Sequence, residues 1–212
     1  MMSKHFIEQK AEQLIINYSI SKDEKALAPI DPIDVIEFLG YSVEYVEGKY
    51  DSSVYGALVP QSKTVEINND VSFNEGMENF TIAHEIGHII LHLKDPEKDD
   101  KSTCDIGDLN SGDTRESEAD NFASYLLMPT QMVKDAFYSL RKKPFYIKNN
   151  FILSFVFKKT KRLRALKFAG EMIDAGNFTN VSKLAMVNRL IGMGLIKGLQ
   201  YQKNTQVRRK KQ

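Results

Sequence analysis

Thr81-Ile82-Ala83-His84-Glu85-Ile86-Gly87-His88 sets the pattern H-E-x-x-H inside an apolar, helix-forming run that continues through Ile89, Ile90 and Leu91. On an α-helix, residues four apart lie about 40° apart around the axis and about 6 Å apart along it, so the imidazoles of His84 and His88 can meet at one ion. Zinc accepts that geometry. Glu85 sits about 100° round the axis, within reach of a water at the ion and too far round to be a like ligand, which suits a general base. The bland alternative is a buried helix whose histidines coincide in spacing. His92 falls one turn beyond His88, but along a straight helix it lies about 12 Å from His84, and both would need to be about 2 Å from one ion. His92 is therefore not the third ligand. It is expected to cap the helix end or face solvent, with a supporting or substrate role as the lesser reading.

The expected helix runs from about residue 74 to 92, with Asn74 as its cap and Glu75 and Glu78 at its positive end. Gly87, between the two histidines, lets another element or a substrate backbone approach closely, or simply packs. Residues 94–113 follow as a polar, acidic stretch with no apolar period, expected to be a long loop. Cys104 lies in it and is read as a surface thiol, with capture of a metal's open position as a minor alternative.

The third ligand must come from the next helix. Asp113-Thr114-Arg115-Glu116 has the form of a capping box, and the helix continues through Met128 to Pro129. Glu116 and Asp120 share one face, whereas Glu118 lies about 160° away from Asp120. A carboxylate ligand, with an aspartate one turn on that holds the free nitrogen of a ligand histidine, is an arrangement that His₂Glu zinc sites use. Glu116 is preferred as ligand, Glu118 is the alternative, and Asp120 is expected behind a ligand.

Upstream, residues 6–20 carry an amphipathic helical pattern, and Asp31-Pro32 opens a second helix that stops at Gly40. Alternation around Val43, Leu58 and Val65 predicts three short strands in a small antiparallel sheet. If the last strand is an edge beside the metal helix, it can accept an extended peptide by backbone pairing. Downstream, Thr130 caps a helix to about Leu140. The aromatic stretch 145–157 leaves strand or helix open, and residues 161–196 read as helix, turn, helix.

The fold class expected is therefore α+β, with a division in charge. Of the 212 residues, 42% hydrophobic, residues 1–133 carry 10 basic and 25 acidic side chains (net −15) and residues 134–212 carry 19 and 3 (net +16). The expected domains are a catalytic one over 1–133 and a basic helical one over 134–212 with a disordered tail. The basic half suits DNA, an acidic protein, or the chain's own acidic half. One cysteine rules out a cysteine zinc cluster and fits a reducing compartment. No secretory core follows Met1, and residues 151–157 are far short of a span, so a cytoplasmic protein without membrane contact is expected.

Residues 80–88 together with Glu116-Ser117-Glu118-Ala119-Asp120-Asn121-Phe122-Ala123-Ser124-Tyr125-Leu126-Leu127-Met128-Pro129 resemble the paired signature of the ImmA/IrrE family of zinc metallopeptidases. The resemblance covers roughly residues 40–135. It implies a compact, minimal gluzincin-type domain with His84, His88 and Glu116 as ligands of Zn²⁺ and Glu85 as base. Many members carry Asn at the place of Asp120. Characterised members cleave helix-turn-helix transcriptional repressors and so release mobile-element or stress-response genes, which makes a repressor the expected protein substrate. The competing reading is a DNA-binding or antitoxin-like regulator whose metallopeptidase-like domain senses or binds a partner without turnover. The donor that would stabilise the oxyanion stays open among Tyr45, Tyr55, Tyr125 and His92.

Overall fold

The computed structural model of the chain describes residues 1–23, 28–71, 74–93, 114–147 and 154–201. The expected loop at 94–113, Cys104, the Asp113 cap and the basic tail at 208–211 lie outside them. Two compact units emerge, Met1–Pro129 and Thr130–Gln212. Among the described residues, seven helices and two small sheets make a mixed α and β structure, and no helix is long and apolar enough to cross a membrane.

The first unit begins with α1 (Lys4–Lys22), which Ser3 caps by accepting from the Phe6 N–H, and which buries Ile7, Ala11, Leu14 and Ile15 along one stripe. Helix α2 (Pro32–Phe38) opens on Asp31, whose carboxylate accepts from the Ile33 N–H ahead of a first-turn proline. Strands β1 (Ser42–Val46), β2 (Gly56–Val59) and β3 (Thr64–Asn68) then form one sheet in the order β1-β3-β2.

That sheet corrects two expectations. It is mixed and not antiparallel: β1 pairs with β3 in parallel, and only β2 with β3 is antiparallel. The last strand is central and not an edge. Burial accords with the order: all five residues of central β3 are buried, whereas edge strand β1 exposes Ser42, Glu44 and Tyr45. Residues 47–55 give β2 the slack to skip a position, and the Asn68 amide ties them down by donating to the carbonyls of Asp51 and Val54, at 3.1 and 2.8 Å. Buried Glu66 is satisfied by Lys49 and Tyr50, each at 2.5 Å.

Helix α3 (Glu75–Leu91) is capped by Asn74, which accepts from the Met77 N–H, and it buries every residue from Thr81 to His88. It packs on β2, where a Cβ on Gly56 would stand 2.7 Å from Thr81 Cγ2. On another side lies α4 (Thr114–Leu127), which buries Glu118, Ala119, Phe122, Ala123, Tyr125, Leu126 and Leu127. Gly87 permits that closeness: a Cβ there would meet the Cα of Ala119 at 3.0 Å and its carbonyl oxygen at 3.2 Å. Of the two readings of Gly87, the approach is that of a neighbouring helix.

The second unit holds α5 (Thr130–Leu140), β4 (Phe145–Tyr146), α6 (Ser154–Gly176), α7 (Lys183–Gly192) and β5 (Ile196–Lys197). The open stretch 145–157 divides into a strand and the start of a helix. Ser182 caps α7 by accepting from the Ala185 N–H, and Gly194, at φ +69°, turns the chain out of it. Strand β5 pairs in parallel with β4. Buried Phe137, Phe168, Met172, Phe178, Met186 and Leu190 form this unit's core.

Candidate metal centre

Three side chains from two helices converge where α3 and α4 touch. His84 Nε2 stands 3.0 Å from His88 Nε2 and 3.1 Å from Glu116 Oε2, and His88 Nε2 stands 3.4 Å from Glu116 Oε1. Helix spacing sets the first distance. The Gly87 contact sets the others, because it lets the start of α4 reach the middle of α3. All three groups offer donor atoms within 4.8 Å of one another, the grouping that holds a metal ion. Four tetrahedral ligands at about 2.0–2.1 Å from zinc stand about 3.3 Å from each other, so the triangle is of the right size.

The electrostatics call for a cation. Asp120 Oδ1 accepts from His84 Nδ1 at 2.9 Å, so the Nε2 of a neutral His84 is a bare lone pair, facing a second imidazole nitrogen and a carboxylate. Burial opposes charge on His84, but hydrogen bonds to Asp120 and Glu116 outweigh it and raise its pKa to about 10. On His88, burial wins and the pKa is lowered. Glu116, opposed only by burial, is held well below the usual carboxylate range by the two histidines. Either a proton or a metal ion can answer this field, and the donor set fits the metal.

Glu85 differs from its neighbours. It is fully buried and neither carboxylate oxygen has a hydrogen-bond partner of standard geometry among the described residues. Burial pushes its pKa up to about 7, with Glu116 adding to the rise, while His84 and the Leu58 backbone N–H pull it down. Leu58 belongs to β2, so the carboxylate lies between the metal helix and the sheet edge. The register places it further. Asn68 N–H donates to the Tyr55 carbonyl at 3.0 Å, so Tyr55, Ala57 and Val59 point their backbone groups at β3, leaving those of Gly56 and Leu58 on the open side.

The remaining candidates are placed as follows. Glu118 does not join Glu116: its Oε2 meets His92 Nε2 at 3.1 Å and its Oε1 accepts from the Met2 backbone N–H. His92 is neither a solvent group nor a ligand, since its Nδ1 stands 3.0 Å from His88 Nδ1. With both ring nitrogens engaged, it is no free donor for an oxyanion. Tyr45 donates to Glu78, at 2.5 Å, on the first turn of α3. The contact of His92 with Glu118 is what the sequence reading underweighted; the only signal is the third histidine at the same i, i+4 interval.

Comparison with curated proteins gave no match. The Peptidase M78 family model, described as the IrrE N-terminal-like domain, matches residues 36–160, a span that holds the sheet, α3, α4 and every residue of the centre, and the chain belongs to that family.

Proposed function

We propose that the chain is a zinc-dependent endopeptidase of the cytoplasm that cuts a helix-turn-helix transcriptional repressor at one site. Membership of a peptidase family supports the reaction class. The observation that carries the reading is the pairing of His84, His88 and Glu116, 3.0–3.4 Å apart, with a fully buried Glu85 beside them. The repressor rests on the resemblance of the two helical motifs to the ImmA/IrrE family.

Zinc held by His84, His88 and Glu116 would supply a Lewis acid that polarises the scissile carbonyl and acidifies water. Glu85, with a pKa near 7, takes a proton from the attacking water and returns it to the leaving amine. Its burial keeps competing water away. The open backbone groups of Gly56 and the Leu58 carbonyl can pair with an extended substrate, so the edge proposed for peptide binding is β2. Asp120 holds the His84 ring in orientation.

Purified protein incubated with a repressor encoded beside it should yield one discrete cut that a chelator abolishes. Glu85→Gln should retain zinc and lose cleavage by about 10²–10⁴-fold. Cleavage by the variant at the wild-type rate would sink the reading.

A further inference from the structure

Behind His88, away from the triangle, a second buried chain of contacts runs from α3 to α4 and on to the N-terminal segment. His88 Nδ1 stands 3.0 Å from His92 Nδ1, His92 Nε2 stands 3.1 Å from Glu118 Oε2, and Glu118 Oε1 accepts from the Met2 backbone N–H. The His92 and Glu118 side chains are only 7% and 5% exposed. We propose that His92 and Glu118 are positioning residues that fix which nitrogen of His88 is left bare for a metal, and the plane in which its ring is held. This rests on the metal-centre reading above.

Proton counting supports it. An ionised Glu118 has acceptors only, so the hydrogen it receives must come from His92 Nε2. A neutral imidazole carries one ring proton, so His92 Nδ1 is then an acceptor. The 3.0 Å contact between the two Nδ1 atoms needs one hydrogen, and only His88 can provide it. His88 is left with a lone pair on Nε2, the atom 3.0 Å from His84 Nε2 and 3.4 Å from Glu116 Oε1. The opposite arrangement would set a bare His92 Nε2 against an acceptor oxygen of Glu118, and would leave a proton on His88 Nε2, the nitrogen that faces the cluster. With one proton on each of the His88 and His92 rings, a single pattern satisfies the contacts of His88 Nδ1 with His92 and of His92 with Glu118.

The position of His92 permits this role while excluding the ligand role. It is the C-cap of α3, with its backbone N–H bonded to the His88 carbonyl at 2.9 Å, so its ring turns back along the helix. The His88 and His92 rings are 5.0 Å apart between centroids and tilted by 52°, which suits an edge-to-edge hydrogen bond. Met2, by holding the far oxygen of Glu118, keeps that carboxylate from turning toward the metal side.

The test is zinc affinity of the full chain, read by competition with a chromophoric chelator, with the visible spectrum of the cobalt-loaded protein as a probe of ligand geometry. His92→Phe keeps a ring and removes both nitrogens; Glu118→Gln is nearly isosteric and forces one N–H against another. Each should weaken zinc binding about 10–100-fold and alter the cobalt bands. His92→Gln, whose carbonyl can accept from His88 and whose amide can donate to Glu118, should recover most of the loss. Thermal unfolding of the metal-free proteins identifies any variant that fails to fold, in which case Glu118→Gln decides. Wild-type affinity and spectrum in folded His92→Phe and Glu118→Gln would overturn the relay alone. Absence of zinc binding by the wild type would overturn the metal reading with it.

Discussion

The centre has two walls, and they are built on opposite principles. On the side of α4 the polar groups are matched: His84 meets Asp120, His88 meets His92, and His92 meets Glu118. On the side of β2, Glu85 is buried with no partner of standard geometry among the described residues, although it adjoins His84 in the chain. Matched groups are fixed in place, and a ligand must be fixed. The proposed base must exchange a proton, and a fully buried carboxylate whose pKa burial pushes up to about 7 holds one readily at neutral pH. One helix thus presents a satisfied face and an unsatisfied one.

The largest effect should come from relieving the unsatisfied wall. Glu85 has a folded pKa of about 7 against 4.5 for the free group, so the folded state binds its proton more tightly than the unfolded state does. Its contribution to stability is complete below pH 4.5 and is lost as the pH rises to about 7, a difference on the order of 3 kcal/mol. Glu85→Gln cannot ionise. Denaturant unfolding of the zinc-free proteins should show the variant gaining on the wild type by about that amount between pH 4.5 and pH 8. Parallel pH profiles would show that Glu85 is better solvated than its burial indicates.

A smaller effect is expected where the walls meet. In an ordinary helix interior, Gly→Ala gains about 1 kcal/mol. At Gly87 the new Cβ would meet backbone atoms of Ala119 at 3.0 and 3.2 Å and Phe122 Cβ at 3.2 Å, and backbone cannot yield as a side-chain tip can. Overpacking of this kind costs about 1–3 kcal/mol, so Gly87→Ala should lose stability and, by pushing α4 away, weaken metal binding through Glu116. A gain in melting temperature with unchanged zinc affinity would mean that the helices have room to spare.

How much of this could be read beforehand follows from the range of each interaction. The spacing of His84 to His88, and of Glu116 to Asp120, is local, and helix geometry alone put each pair on one face. The cap at Asn74 and the stop near His92 are local too. The strand order and direction were not legible, because Val43, Leu58 and Val65 alternate alike whether their strands pair in parallel or antiparallel, and the pairing is set by contacts distant in the chain. Glu118 illustrates the same limit. Its angle on α4 made it only the alternative to Glu116, and nothing in the sequence said that it would face His92, which depends on where α4 crosses α3.

The least effect is expected at the exposed end of the matched wall, and it sharpens the difference between the two histidines. His84 is held by Asp120 directly, through a carboxylate 38% exposed, whereas His88 is held through a relay whose members are at most 7% exposed. Solvent screens the charge of Asp120, so its use to His84 is mainly as an acceptor that fixes the Nδ1 proton. Asp120→Asn keeps an acceptor oxygen in the same place. It should cost less than about tenfold in zinc affinity, under ~1.4 kcal/mol, while Asp120→Ala, which removes the acceptor, should cost about 10–100-fold. Equal losses in the two variants would mean that His84 takes charge from Asp120 and not orientation, and the two ends of the wall would then differ in kind as well as in burial.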